Sequence, residues 1–168
     1  MRKIICVMCV ALILSAAVVG CGKKAEKPED FTFSLTWGCY GISSYDSATG
    51  KLVKTTDATH PEDYVTEYHL TEQELARVWQ LVCDLKPETY PVTYTPAPGW
   101  HSDPSETLIL TVRRSGGEKT IAARDVAFAV EGMDEKGKLF LDTCRAIEEI
   151  LTDTEEWKAL PDYEFLYE

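Results

Sequence analysis

Leu108-Ile109-Leu110-Thr111-Val112-Arg113-Arg114-Ser115-Gly116-Gly117-Glu118-Lys119-Thr120-Ile121-Ala122-Ala123 is the stretch that decides the fold. Two runs of β-branched and aliphatic residues flank a Gly-Gly pair, and Gly is the residue that takes a tight hairpin turn without steric cost. A two-residue turn at Gly116-Gly117 pairs Ser115 with Glu118. That register sets Val112 against Ile121 and Leu110 against Ala123, all on one face. An antiparallel hairpin with one buried face is therefore expected here.

Upstream, Phe31, Phe33, Leu35 and Trp37 alternate with Thr32, Ser34 and Thr36, the period of a half-buried strand. Residues 40–45 and 51–56 flank Asp46-Ser47-Ala48-Thr49-Gly50, where Gly50 suits a left-handed loop position and Asp46 can bond its own turn. Residues 64–69 read as a further strand, which completes a meander. Leu70-Thr71-Glu72-Gln73-Glu74-Leu75 is a capping box with Thr71 as N-cap, Glu74 returning to it, and Leu70 and Leu75 as the hydrophobic staple. The helix that follows presents Leu75, Val78, Trp79, Val82 and Leu85 on one face, and Pro87 ends it.

Downstream of the hairpin a long helix is expected from about Glu135 to Leu151. Phe140, Cys144, Ile147 and Leu151 form its stripe, with Leu139, Thr143 and Ile150 beside it. Asp153 or Thr152 then caps a short turn through Trp157. Tyr163, Phe165 and Tyr167 alternate and suit a terminal strand. Strands, helix, hairpin and helix in that order are an α+β pattern. The expected architecture is an antiparallel sheet of five to seven strands, a meander plus a C-terminal hairpin, with two main helices packed on one face.

The N-terminus is of another kind. Arg2-Lys3 precede an uncharged apolar run, Ile4 to Gly20, of 17 residues ending in small side chains. That is short for a membrane span and suits a cleaved export signal. Val18-Val19-Gly20-Cys21 resembles the lipobox of bacterial lipoproteins. The resemblance implies that residues 1–20 are removed, that the Cys21 thiol carries a diacylglycerol, and that the chain is held at the extracytoplasmic face of the cell membrane. A conventional secretory signal cut near Gly20 is the alternative. Residues 21–30 are polar and without apolar period, which makes them a tether, and residues 31–168 form a single domain. The body resembles small bacterial lipoprotein domains of this layout.

The whole chain carries 17 basic and 28 acidic residues, and removal of Arg2 and Lys3 leaves a formal charge of −13. Such acidity repels nucleic acid and anionic headgroups, so nucleic acid is not an expected partner. Solubility is the plain reading of the charge, with calcium or a cationic partner as the sharper one. Of six cysteines, Cys6 and Cys9 leave with the signal and Cys21 is assigned to lipid. Cys39, Cys83 and Cys144 remain, of which at most one pair can close. Cys83 and Cys144 fall on helical faces as small buried hydrophobes, and Cys39 has no neighbour in sequence that would lower its pKa.

Motifs that carry chemistry are lacking. Gly41-Ile42-Ser43-Ser44-Tyr45 lacks the second Gly of a nucleophile elbow, and Tyr45 stands where the first Gly of a phosphate loop before Gly50-Lys51 would be. Asp46 to Gly50 lacks the bidentate Glu of a calcium loop. His60, His69 and His101 have no metal-ligand spacing. No cofactor, metal or catalytic residue is assigned.

Residues 86–106 form the longest irregular stretch, with five prolines and the aromatics Tyr90, Tyr94 and Trp100. Such loops are often binding loops. Equally, the rings serve as apolar cover for the sheet. Tyr90, Tyr94, Trp100 and His101 are the candidate binding surface for an unidentified protein or small molecule, in a domain read as non-enzymatic. Trp100-His101-Ser102-Asp103-Pro104-Ser105-Glu106 gathers polar groups that also read as turn chemistry. A hydrolase of envelope polymers using His101 with Asp103 or Glu106, and an acidic inhibitor-like protein facing a basic partner, are the alternatives.

Overall fold

The computed structural model describes residues 26–39, 42–100, 102–127 and 133–164. Its strands are β1 (Thr32–Gly38), β2 (Ser43–Asp46), β3 (Lys51–Val53), β4 (Val65–Glu67), β5 (Glu106–Arg114) and β6 (Gly117–Val126). The helices are α1 (Glu72–Leu85), α2 (Glu135–Thr152) and the short α3 (Glu155–Lys158). All six strands join one antiparallel sheet in the order β4-β3-β2-β1-β5-β6, so the α+β expectation holds.

Directly opposed residues share a face of an antiparallel sheet. One row crosses five strands: Leu52, Tyr45, Leu35, Leu110 and Ile121, every one of them almost fully buried. Phe33, Trp37, Leu108, Val112 and Ala123 extend this face. Both long helices close over it, α1 with Val78, Trp79, Val82 and Leu85, and α2 with Phe140, Leu141, Cys144, Ile147, Ile150 and Leu151. The opposite face is polar, with Ser34, Thr36, Ser44 and Asp46 around an open concavity of about 390 Å³.

The helix ends follow local chemistry. Thr71 Oγ1 accepts from Glu74 N at 3.3 Å, and Thr71 N donates to Glu74 Oε2 at 2.8 Å. Lys86 closes α1 in the left-handed region at φ 54°. Asp134 caps α2 by accepting from Gly137 N at 2.6 Å. Gly137 is required by packing, since a Cβ there would stand 2.6 Å from the Pro96 carbonyl oxygen.

Four expectations are corrected. The hairpin register is shifted by two residues: Arg114 faces Gly117, Val112 faces Lys119, Leu110 faces Ile121 and Leu108 faces Ala123. An even shift leaves every side chain on its own face, so burial does not discriminate between the two registers. The outward pairs do. In this register Arg113 Nε donates to Glu118 Oε2 at 2.7 Å, and the Thr111 and Thr120 hydroxyls meet at 2.9 Å. Ser115 and Gly116 make the turn, and Gly116 and Gly117 take φ of 113° and 141°. Leu139, expected beside the α2 stripe, is 40% exposed, and Leu141 is buried instead. The cap of the short helix is Thr154, whose Oγ1 accepts from Trp157 N. Tyr163 lies outside any strand; the rest of that expected strand, residues 165–168, is outside the described residues.

Candidate functional site

β1 and β6 end, and β2 and β5 begin, at one edge of the core. Glu106 opens β5 in phase with Leu108 and Leu110, so its side chain occupies a core-facing position. It is 8% exposed, and its Oε2 has no hydrogen-bond partner. The register between β5 and β6 breaks here, with Glu106 opposite Val126 and Leu108 opposite Ala123, and Asp125 at φ 58°. A bulge of this kind re-aims side chains at the end of a ladder. Four residues upstream, the buried Ser102 Oγ also lacks a partner.

Helix α2 brings Glu148 to the same place. It lies one turn after the buried Cys144 and borders the apolar stripe. Burial, and then the charge of Glu106, push the Glu148 carboxyl up to about 7, while Arg145 opposes the rise. Burial raises Glu106 as well, again with Arg145 opposing. Burial holds the Cys144 thiol protonated, and the negative charge of Glu106 adds to the effect. Tyr163 is raised first by burial, and the charges of Glu148 and Cys39 reach it. Cys39, Ser43, Glu106, Cys144, Glu148 and Tyr163 thus share one neighbourhood. Cys39, Cys83 and Cys144 are all free thiols.

Beside this cluster, Lys54 is 7% exposed and lies between two rings, 5.7 Å from the Trp157 centroid and 5.3 Å from that of Tyr163. Its Nζ donates to the Leu160 carbonyl at 3.4 Å. Trp157 stacks on Trp37 at 5.8 Å. Lys54 therefore fastens the C-terminal segment to the sheet by cation–π contact.

The aromatic loop divides. Tyr90 is 3% exposed and donates from its hydroxyl to the Lys136 carbonyl at 2.9 Å. Tyr94 meets it edge-on at 5.0 Å and Phe140 at 5.6 Å. Residues 92–94 are held on β6, with Ala122 N donating to Val92 O and Tyr94 N to Ala122 O. These two rings cover the core. Trp100 is 50% exposed. His101 and Cys21 lie outside the described residues, as do residues 1–20.

Glu106 and Glu148 are brought together from positions 42 residues apart in the chain. A sequence signal for each existed. Glu106 keeps the period of Leu108, Leu110 and Val112, and Glu148 is four residues after Cys144 on the apolar stripe. A carboxyl raised to about 7, as at Glu148, can exchange a proton near neutral pH, and burial favours the protonated form of Glu106 relative to a solvated carboxyl. Among the described residues, no group of three or more His, Cys, Asp or Glu is placed to hold a metal ion. Among them, too, no helix is long and apolar enough to cross a membrane.

Elsewhere, an acidic groove of about 410 Å³ runs between α1 and the α2–α3 junction, lined by Glu74, Glu149, Asp153, Glu155 and Glu156 with Arg77. Glu74 is already engaged there by Thr71 and the Tyr68 hydroxyl. No protein-family model matches the chain, and no curated protein matches it.

Proposed function

We propose that this chain is an extracytoplasmic lipoprotein, anchored through lipid on Cys21, whose α+β domain binds a ligand or protein at the Glu106–Glu148 end of the sheet. The observation that supports binding is the buried Glu106 Oε2 without a donor. Leaving a buried acceptor unsatisfied costs about 1–3 kcal/mol, a cost that a bound donor removes. Trp100, half exposed, is a second candidate element of the binding surface.

Two experiments test the reading. Cys21→Ala should move the protein from the membrane fraction to the aqueous one, and unchanged retention refutes the anchor. Crosslinking in the native envelope should capture a partner with the wild type and lose it in the Glu106→Gln/Glu148→Gln double variant. Capture that ignores both substitutions refutes the site.

The raised Glu148 carboxyl favours a second reading. A group with proton affinity near neutrality suits general acid–base work, so Glu106 and Glu148 would serve a hydrolase of envelope polymers. Release of soluble fragments from isolated envelope polysaccharide, abolished by Glu148→Gln, is the result this reading requires.

A further inference from the structure

We propose that the hairpin end of the sheet is the surface on which the domain rests against phospholipid headgroups, with Arg114 and Lys119 as its contacts to lipid phosphate. This goes beyond the binding reading above and rests on the anchor at Cys21. Topology defines the end: β1 begins there at Thr32, β2 ends at Asp46, β3 begins at Lys51, and the Ser115-Gly116 turn joins β5 to β6. The chain leading back to Cys21 is fastened to the same end. Ser115 Oγ donates to Asp30 Oδ2 at 2.5 Å, Lys27 Nζ lies 3.6 Å from Glu72 Oε2, and Phe31 N donates to Pro28 O at 3.2 Å. Phe31 is 2% exposed and meets Trp79 edge-on at 4.9 Å. Residues 22–26 then separate the domain from Cys21, and five residues reach at most about 18 Å. The nine residues of β5 span about 30 Å. A domain standing on its Glu106 end would hold Lys27 farther from the headgroups than that reach allows.

Charge decides between standing on the hairpin end and lying on a side. At the hairpin end opposite charges meet: Arg113 with Asp46 and Glu118, Arg114 with Glu88, and Lys27 with Glu72. Acid without such balance lies elsewhere, in the groove of Glu149, Asp153, Glu155 and Glu156 and at the far end with Glu106 and Asp125. At physiological salt a charge acts over about 8 Å. An anionic bilayer therefore feels the face it meets rather than the net charge, and it repels the acidic faces. Between the hairpin turn and Pro87-Glu88 runs an open groove of about 420 Å³, lined by Arg114, Ser115, Gly116 and Lys119. Arg114 donates to Glu88, and Lys119 Nζ donates to the Tyr90 carbonyl at 2.5 Å. A guanidinium has five N–H donors and an ammonium three, so each side chain keeps donors for phosphate oxygens.

Paramagnetic NMR on the full mature chain, purified from its envelope, reads the orientation directly. Intact mass first establishes the diacylglycerol on Cys21; a mass without it overturns the anchor and this proposal together. The lipidated chain is then placed in nanodiscs of phosphatidylcholine and phosphatidylglycerol that carry a gadolinium-chelate lipid. Broadening falls with the sixth power of distance, and about 30 Å separates the two ends of the sheet. Amides of Gly50, Gly116 and Gly117 should therefore broaden about tenfold or more beyond those of Gly38, Glu106 and Asp125. Equal broadening, or stronger broadening of the far end, overturns the proposal and leaves the anchor standing. A long Gly-Ser segment inserted after Gly22 separates docking from tether length. The preference for the hairpin end should survive that insertion, and Arg114→Gln with Lys119→Gln in the lengthened chain should remove it, with core amide shifts unchanged. A preference lost on insertion alone, or kept by the double variant, overturns the docking surface.

Discussion

Glu148→Gln should stabilise the domain at alkaline pH and leave it nearly unchanged at acidic pH. The folded state raises this carboxyl from its ordinary 4.5 to about 7. Between those values the native protein binds a proton that the unfolded chain has released. The stabilisation this proton provides is complete below about pH 4.5 and is lost as pH rises to about 7. Above that, the ionised carboxylate burdens the fold by a constant amount. At about 1.4 kcal/mol per tenfold change in proton affinity the limit is about 3 kcal/mol. Glu148 remains partly in contact with solvent, and screening reduces this to about 1–2 kcal/mol. Gln keeps the shape and never ionises. Urea unfolding at pH 8.5 should therefore show the variant more stable by about 1–2 kcal/mol, with a difference near zero at pH 4.5. Glu106, which burial rather than Glu148 raises, should keep its own midpoint in the variant. An equal effect at both pH values, or a destabilisation at pH 8.5, would show that the ionised pair carries no penalty and would refute the reasoning.

Thr71→Ala removes the acceptor for Glu74 N and a donor to Glu74 Oε2 together, and should cost about 1 kcal/mol in urea unfolding with the slope unchanged. Tyr90→Ala empties a core position and strands the Lys136 carbonyl, so a loss of about 3–5 kcal/mol is expected. Trp100→Ala, at a half-exposed position, should stay within about 0.5 kcal/mol while weakening partner capture. A large loss of stability at Trp100 would place that ring in the core and remove it from the binding surface.

Where the rules are local, the fold was readable residue by residue. The alternation Phe31-Phe33-Leu35-Trp37 is β1 with its buried face. Thr71 and Glu74 form the capping box that their spacing requires, and the α1 stripe Val78, Trp79, Val82 and Leu85 is buried as its 3.6-residue period demands. Alternation has a blind spot, which the β5–β6 hairpin exposes. A two-residue slip preserves the faces, and only the Arg113–Glu118 and Thr111–Thr120 pairs distinguish one register from the other. Leu139 shows a second limit, since a helix stripe broad enough to include it was narrowed by what α2 had to meet.

The sequence by itself determined which residues become strands and helices, which faces they bury, and therefore the α+β class, because periodicity and capping act over a few residues. Only the tertiary structure decided that Tyr90 and Tyr94 close over Phe140 while Trp100 faces solvent. It alone set Glu106 beside Glu148. The two carboxyls come from a strand and a helix separated by the whole hairpin; burial raises both, and the charge of Glu106 adds to the rise at Glu148. Those quantities exist only after the chain has packed.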